Sequence, residues 1–313
     1  MKNSIESKHL LTGEELTVNQ IEAILQKALV LKKKRLSSLV DTPLKGQHLA
    51  LLFNKPSLRT RFSFTIAMCE LGGDVIESIS DTRKQETPED LARVLERYCH
   101  AIMVRTDKDA FIERMSKVVN IPIINGLSDL HHPCQVLGDL LTLLEHFGSL
   151  KGLTLSYIGD GNNVLNSLLL LAPKMGVNIH YCCPPTREPD KNVLEKSLTH
   201  LKAEMGHIKA FTTPELAVAQ ANAVYTDVWT SMGFEGKEED HLFKGFQVNQ
   251  ELMQLAHPEA IFMHCLPMER GKEVSDTLPD ARCSVIFQQS ENRLHVQKAI
   301  LLHFLKPSTA YTQ

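Results

Sequence analysis

The sequence contains no C-x-x-C pair among its seven cysteines, which lie at positions 69, 99, 134, 182, 183, 265 and 283. Structural zinc sites and disulfide frameworks both use cysteines in recognisable pairs, and an odd number cannot all pair within one chain. The pattern therefore argues against a structural zinc site and against a disulfide-stabilised secreted protein. We expect no bound metal and a reducing, cytoplasmic setting.

Long apolar runs and a strong charge of either sign are also missing. No segment approaches the roughly 20 apolar residues that cross a bilayer, and the first sixteen residues contain no apolar stretch of signal-peptide length. The formal net charge is -3, and the one compact basic run, residues 32–35, ends an amphipathic helical pattern. We therefore expect neither membranes nor nucleic acids as partners.

Two nucleotide-binding signatures are absent or incomplete. The phosphate-binding pattern G-x-x-x-x-G-K-[ST] does not occur. The segment 159–164, Gly-Asp-Gly-Asn-Asn-Val, has valine where a dinucleotide fingerprint has its third glycine, and the next predicted strand ends without an acid for the ribose. We expect no dinucleotide cofactor, although Asn162 and Asn163 are well placed to contact a small polar ligand.

Strand-like and helical patterns alternate along the chain. Apolar runs predict strands at residues 48–53, 101–104, 122–124, 153–158, 178–182, 208–211, 223–225 and 260–263. Helices are predicted from a capping box at Thr17 and Gln20, and over 60–71, 87–98, 133–146 and 164–175, with Pro173 ending the last one early. Further helices are predicted between the strands that follow residue 178. The alternation predicts an α/β fold with two domains, 1–147 and 148–289, each a mostly parallel sheet flanked by helices, followed by a C-terminal helix at about 290–305.

Polar residues cluster where predicted strands end, which is where parallel sheets bind ligands. The segment 54–61, Asn-Lys-Pro-Ser-Leu-Arg-Thr-Arg, places hydroxyls and arginines at the start of a helix, where backbone amides are unpaired. This arrangement favours an anion site. The alternative is a capping serine with arginines in surface salt bridges.

Three further positions leave alternatives open. His132 and Gln135, on either side of Pro133 and Cys134, could hydrogen-bond a ligand, or His132 could be structural. Asp227 could hold a cationic amine or lie in a solvated loop. Cys265 reads first as a buried thiol, because neighbouring residues of a strand point to opposite faces and His264 is thus a poor general base for it.

Together these clusters resemble the aspartate/ornithine carbamoyltransferase family. The pattern S-x-R-T-R-x-S-F appears at 57–64, H-P-x-Q at 132–135 and Q-x-E-N-R at 289–293. The segments D-V-W-T-S-M-G at 227–233 and H-C-L-P at 264–267 resemble the members that act on ornithine, since those that act on aspartate typically carry H-P-L-P. The five motifs follow the family's order over residues 8–305 or thereabouts.

The resemblance implies transfer of a carbamoyl group from carbamoyl phosphate to the side-chain amine of L-ornithine, without metal or cofactor. A related amine such as putrescine, or an acylated ornithine, is the alternative acceptor. Family members are usually homotrimers or multiples of trimers, and the C-terminal helix is expected to return to the first domain.

The resemblance also implies a role for particular residues. Cys265, Asp227, Arg105 and His132 would act in catalysis. Carbamoyl phosphate would be bound by Ser57, Leu58, Arg59, Thr60, Arg105, His132, Pro133, Cys134, Gln135, Cys265, Leu266 and Arg293. Ornithine would be bound by Asn163, Asp227, Ser231 and Met232.

Three segments depart from the family's pattern. The loop at 81–85 looks shorter than usual and lacks the expected glutamine, so that Gln85 or a neighbour would have to reach the adjacent subunit's ligand. Gln288 stands where an aspartate is common, a change expected to be structural. Pro173 lies in a helix that usually has no proline.

Overall fold

The computed structural model describes residues 7–35, 41–79, 86–203, 205–230 and 239–306. The chain divides into two compact units. Unit 1 comprises the described residues up to Leu137 and those from Arg293 onwards, and unit 2 comprises Gly138–Asn292. The expected loop at 81–85 lies outside the described residues.

Unit 1 contains a four-stranded parallel sheet in the order β2-β1-β3-β4. The strands are β1 His48–Phe53, β2 Asp74–Ile79, β3 Ala101–Arg105 and β4 Ile123–Leu127. All five residues of β4 are buried, as are all but the first residue of β1 and the last of β3. Continuous apolar runs are what a sheet covered on both faces requires.

The helices of unit 1 begin at the signals that the sequence provides. They are α1 Val18–Arg35, α2 Leu58–Glu70, α3 Pro88–Glu96 and α4 Asp109–Ser116, and α5 Pro133–Phe147 continues into unit 2. The capping box of α1 is confirmed, because Gln20 N donates to Thr17 Oγ1 and Thr17 N donates to Gln20 Oε1. Thr87 caps α3 in the same way by accepting from Asp90 N.

The C-terminal helix α10, Ile286–Leu305, ends in unit 1. Arg293 on this helix donates to Thr60 of α2, and Lys298 forms an ion pair with Glu70 at the other end of α2. The apolar face of α10 is buried at Ile300 and Leu301. The expected return of the last helix to the first domain is therefore confirmed.

Unit 2 contains a five-stranded parallel sheet in the order β7-β6-β5-β8-β9. Its strands are β5 Thr154–Ile158, β6 Asn178–Cys182, β7 Ile208–Ala210, β8 Ala223–Thr226 and β9 Ile261–His264. Its helices are α6 Asn163–Leu171, α7 Lys191–His200, α8 Pro214–Val218 and α9 Gln250–Met253. The expected ending of α6 before Pro173 is confirmed, since a short 3-10 turn, Pro173–Met175, follows it.

Each sheet has one pair of neighbouring strands from which the chain proceeds in opposite directions. In unit 1 the pair is β1 and β3, and in unit 2 it is β5 and β8. The loops that leave such strands at their carboxyl ends diverge and open a crevice, which is where doubly wound sheets bind ligands. The segments that begin at Asn54, Thr106, Gly159 and Asp227 leave these four strands.

Two elements are missing from the sequence-based prediction. Strand β2, with the sequence Asp-Val-Ile-Glu-Ser-Ile, lies at the edge of its sheet and mixes apolar with polar residues, so it has no long apolar run. Helix α4 is short and buries only Ile112 and Met115. Among the described residues, no helix combines the length and apolar character that crossing a membrane requires.

If α10 is an integral part of the unit 1 core, Ile300→Ala should lower the free energy of unfolding by about 2 to 5 kcal/mol, because Ile300 is fully buried. Val30→Ala on α1 is the matched control, since Val30 is 48% exposed and its loss should change stability by less than about 0.5 kcal/mol. Chemical denaturation measures both. Equal effects of the two substitutions would contradict the placement of α10.

Candidate active site

The turn after β1 presents the start of helix α2 at the carboxyl edge of the first sheet. Ser57 occupies the N-cap position, but its side chain makes no capping hydrogen bond. Leu58 is 69% exposed, Arg59 is half-buried and Thr60 is fully buried. Ser57 therefore does not cap the helix with its side chain. The first backbone amides of this 13-residue helix can bind an anion instead.

The buried hydroxyl of Thr60 receives two guanidinium groups. Arg293 Nη2, from α10, donates to Thr60 Oγ1 over 2.8 Å, and Arg105 Nη1, from the end of β3, approaches the same oxygen at 3.4 Å. Arg105 Nε is buried and makes no hydrogen bond within the described part of the chain. The residues Arg59, Thr60, Arg105, His132 and Arg293 are called the cationic cluster below.

Crowding of positive charge alters the acid-base properties of the cationic cluster. Burial, together with Arg293 and Arg59, lowers the pKa of Arg105 from 12.5 to about 10. Arg105 still carries its charge at neutral pH. The pKa of His132 lies well below 6.5, because the ring is buried and Arg293, Arg105 and Arg59 surround it. His132 is therefore neutral at physiological pH and can donate from one ring nitrogen.

Helix α5 begins with the H-P-C-Q motif. Pro133 is its first residue, and both His132 and Gln135 are almost fully buried. The thiol of Cys134 donates to the backbone oxygen of Asn125 over 3.3 Å, and burial raises its pKa to about 12. The Cys134 side chain thus holds α5 against β4, and what this residue can offer a ligand is its backbone.

In unit 2, sheet register brings Asp227 and Cys265 together. Thr226 of β8 pairs with His264 of β9, so that the next residue on each strand lies side by side at the carboxyl edge. Asp227 is 7% exposed and Cys265 is 8% exposed. A hydrogen bond joins their side chains. The residues Asn162, Asp227 and Cys265 are called the amine cluster below.

Asn162 completes the amine cluster, although the sequence motif favoured its neighbour Asn163. Its Oδ1 caps helix α6 by accepting from Val164 N at 2.9 Å, and its Nδ2 donates to Asp227 Oδ2 over 2.7 Å. The other carboxylate oxygen of Asp227 accepts from Val228 N at 2.8 Å. Asp227 is thereby fixed in orientation, and Asn163 follows as the first residue of α6.

The environment of Cys265 disfavours a thiolate. Burial, the charge of Asp227, the hydrogen bond to Asp227 and the charge of Asp139 all raise the pKa of this thiol, and a hydrogen bond with Tyr225 only partly offsets them. A cysteine nucleophile needs the opposite shift. Cys265 is therefore a neutral donor to Asp227.

Both ring nitrogens of His264 make hydrogen bonds within the protein. Nδ1 accepts from the backbone N–H of Leu266 at 2.9 Å, so the proton resides on Nε2, which donates to Glu273 over 3.1 Å. One potential ligand atom from each of Asp227, His264 and Cys265 falls within 4.8 Å of the others. Because both His264 nitrogens and the Cys265 thiol are engaged in hydrogen bonds, this group does not offer the ligand set that a metal requires.

The remaining expected ligand residues differ in how far the structure describes them. Ser231 and Met232 lie outside the described residues. Trp229, which precedes them, stacks on Phe243 with ring centroids 5.3 Å apart. Leu266 has a φ of 58°, a left-handed conformation that is rare for a non-glycine residue and that tends to occur at functional sites.

The glycine-rich loop after β5 serves packing. A Cβ on Gly161 would lie 2.3 Å from the backbone carbon of Glu188, and Gly161 N donates to Arg187 O over 2.7 Å. The close approach that requires glycine here is made by the protein's own chain. This explains a G-x-G pattern that lacks the rest of a dinucleotide fingerprint.

Comparison with known proteins gives matches over nearly the whole chain. Residues 8–145 match the family model "Aspartate/ornithine carbamoyltransferase, carbamoyl-P binding domain", and residues 151–304 match "Aspartate/ornithine carbamoyltransferase, Asp/Orn binding domain".

Individual relatives agree with the family models. An ornithine carbamoyltransferase of Bacillus cereus is 43% identical over 307 residues, covering 96% of each chain. One from Archaeoglobus fulgidus is 42% identical over 311 residues, covering 97% of this chain and all of the relative. The crystal structure of ornithine carbamoyltransferase from Thermus thermophilus superposes with a TM-score of 0.87 at 39% identity, covering 96% of this chain and 99% of the other.

The two family models match consecutive parts of the chain, and the relatives match it over nearly its full length with the same fold. The chain belongs to the aspartate/ornithine carbamoyltransferase family.

Proposed function

We propose that this protein transfers the carbamoyl group of carbamoyl phosphate to the side-chain amine of L-ornithine, forming L-citrulline and phosphate. The observation that carries the proposal most strongly is the convergence of Arg105 and Arg293 on the buried Thr60 hydroxyl. Such a cluster suits a doubly charged phosphate ester or anhydride. Similarity to relatives named ornithine carbamoyltransferase supports ornithine as the acceptor.

We propose that carbamoyl phosphate is bound chiefly by the cationic cluster and the start of α2. The contributing residues would be Ser57, Leu58, Arg59, Thr60, Arg105, His132, Pro133, Cys134, Gln135 and Arg293, together with Cys265 and Leu266. Thr60 can donate its hydroxyl proton while it accepts from two arginines. In this way one side chain links both guanidinium groups to the ligand.

Chemistry at the carbonyl carbon makes two demands that this cluster meets. Attack by an amine creates a tetrahedral oxyanion and expels phosphate, so negative charge grows on oxygen atoms in the transition state. Preorganised donors stabilise that charge, and losing one such donor typically costs about 2.7 to 4 kcal/mol of barrier. Neutral His132 is well suited to donate to the carbonyl oxygen, because a cationic imidazole would add to an already crowded positive field.

The acceptor amine must lose a proton before it can attack. With lysine as a guide its pKa is about 10.4, and forming the neutral amine near pH 7 costs roughly 4 to 5 kcal/mol. Asp227 and Cys265 would orient the amine, with Asp227 drawing its proton by hydrogen bonding. Asn163, Ser231 and Met232 would hold the rest of ornithine. Positioning of two substrates at attack distance would supply much of the remaining acceleration.

The setting of the reaction forms a further part of the proposal. Formation of citrulline places the protein in arginine metabolism of the biosynthetic or urea-cycle type. We propose a cytoplasmic homotrimer or multiple of trimers, with residues 1–147 as the carbamoyl phosphate domain and 148–289 as the ornithine domain. All seven cysteines are free thiols, which fits a reducing compartment.

The proposed function predicts citrulline formation when the purified protein is given carbamoyl phosphate and L-ornithine. A colorimetric citrulline assay should show kcat/KM highest for ornithine when putrescine and an N-acylated ornithine are compared at equal concentration. A preference for either of these amines would replace ornithine as the substrate. Turnover of none of the three would overturn the proposal.

The separate roles of the two clusters predict different effects of two substitutions, one on phosphate binding and one on turnover. Arg59→Ala should remove most binding of inorganic phosphate, because a charged donor is lost. Cys265→Ser should leave phosphate binding unchanged and lower kcat by about tenfold, since the shorter C–O bond moves the donor from its position beside Asp227 and the amine. Calorimetry with phosphate and citrulline assays measure the two effects. Full turnover in the Cys265→Ser protein would remove Cys265 from the mechanism.

The lowered pKa of His132 predicts a pH dependence of stability. Below about pH 6.5 the unfolded chain takes up a proton at this position while the folded protein does not, so the free energy of unfolding falls as the pH is lowered. Urea denaturation between pH 7 and about pH 5 should show a shallower fall in His132→Asn than in the unsubstituted protein. Exposed His100→Asn is the control. A slope equal to that of the control would contradict a neutral His132.

A further inference from the structure

A second carboxylate, Asp139, lies buried near the amine cluster and has no part in the mechanism above. It belongs to α5, and its side chain is fully buried. The negative charge of Asp139 contributes to raising the pKa of the Cys265 thiol and of the Tyr225 hydroxyl. Burying a carboxylate is expensive unless hydrogen-bond donors satisfy it.

Two neutral donors converge on this carboxylate. Gln289 Nε2, from α10, donates to Asp139 Oδ1 over 2.7 Å. Tyr225 Oη, from β8, donates to Asp139 Oδ2 over 3.2 Å. Gln289 and Tyr225 are both fully buried, and the ring of Tyr225 stacks on that of Tyr157 at a centroid distance of 5.7 Å.

Both donors lead to the strand ends that carry the amine cluster. Gln289 Oε1 accepts from the backbone N–H of His264 at 2.9 Å, directly before Cys265. Tyr225 precedes Asp227 by two residues on β8 and therefore points to the same face of the sheet. One carboxylate thus holds the end of β9 through Gln289 and the end of β8 through Tyr225.

We propose that Asp139 is a positioning residue for the acceptor amine: through Tyr225 and Gln289 it fixes the ends of β8 and β9, so that Asp227 and Cys265 keep their mutual hydrogen bond. The inference rests on the proposed function for the identity of the amine. It names a residue that touches neither substrate and whose loss should act on the amine step alone.

The hydrogen-bond directions explain why an acid suits this position. Gln289 accepts from the His264 amide with its oxygen, so its amide nitrogen, a donor, faces residue 139. Tyr225 presents an O–H from the other side. Aspartate accepts at both terminal atoms, whereas asparagine would have to reverse one bond by donating its amide to Tyr225 Oη, and it would lose the negative charge.

The charge of Asp139 also bears on the state of Cys265. The groups facing this thiol are Asp227 and Tyr225 from β8, Asp139 from α5, Tyr157 from β5 and its own neighbour His264. Two carboxylates against one thiol favour the protonated form, which alone can donate to Asp227. Asp139 therefore supports the same hydrogen bond by its charge and by its geometry.

Asp139→Asn tests the proposal with little change in side-chain volume. We expect kcat/KM for ornithine to fall by about 100-fold, as a small misplacement of a reacting group would produce. Binding of inorganic phosphate should stay unchanged. The matched control is Thr142→Val, one turn further along α5, which removes a buried hydroxyl that accepts from Asn292 of α10 but has no link to the strand ends. If the two variants turn over ornithine equally well, the positioning role is wrong.

A second readout does not depend on catalysis. Alkylation of individual cysteines, followed by mass spectrometry across a pH series, should show Cys265 reacting at lower pH in Asp139→Asn than in the unsubstituted protein. Exposed Cys69 serves as the internal reference and should not change. An unchanged Cys265 profile would overturn the proposed effect of Asp139 on the amine cluster. If Asp139→Asn does not fold, Tyr225→Phe, which removes one of the two donors, replaces it in the turnover measurement and should likewise lower kcat/KM for ornithine.

Failure of this inference and failure of the proposed function give different results. If the unsubstituted protein forms no citrulline, the proposed function fails, while the alkylation profiles still decide whether Asp139 controls Cys265. If the unsubstituted protein turns over ornithine and Asp139→Asn does so equally well with an unchanged thiol profile, only the role of Asp139 fails.

Discussion

The cationic cluster of unit 1 brings together three guanidinium groups, two of which converge on one buried hydroxyl. Arg59, Arg105 and Arg293 come from the start of α2, the end of β3 and the C-terminal helix, and the last two donate to Thr60. Burial and the repulsion between like charges together lower the pKa of Arg105 to about 10 and keep His132 neutral. Under the proposed function, a multiply charged anion would bind here and offset this repulsion.

Unit 2 carries buried negative charge, whereas the cationic cluster of unit 1 carries positive charge. The carboxylate oxygens of Asp227 accept from Asn162 and Val228, and under the proposed function this oriented carboxylate would receive the cationic amine. Cys265 serves as a neutral donor beside that carboxylate. The buried pair of Asp139 and Gln289 lies behind the strand ends and keeps this geometry fixed. Gln289 precedes Arg293 by four residues on α10, so one helix supplies a residue to each unit.

The sequence predicted those features that depend on local pattern. The α/β alternation, the parallel sheets and the return of the last helix are confirmed, and parallel strands necessarily bring Arg105 near Ser57–Thr60 and Asp227 near Cys265. Asn162 was considered only as one of two polar residues, because its capping of α6 and its bond to Asp227 exist only in three dimensions. Asp139 was missed altogether, since a single acid within an apolar helix carries no local signal. Strand β2 was missed because an edge strand needs little apolar surface.

Under the proposed function, the cationic cluster binds a phosphate-bearing anion. The most direct test is the melting temperature of the protein as inorganic phosphate is raised at constant ionic strength, with chloride as the balancing ion. A ligand that binds only the folded state stabilises it by RT ln(1 + [L]/Kd). The melting temperature should therefore rise steadily as phosphate replaces chloride at constant ionic strength. A melting temperature that depends on ionic strength alone would contradict anion binding by the cationic cluster.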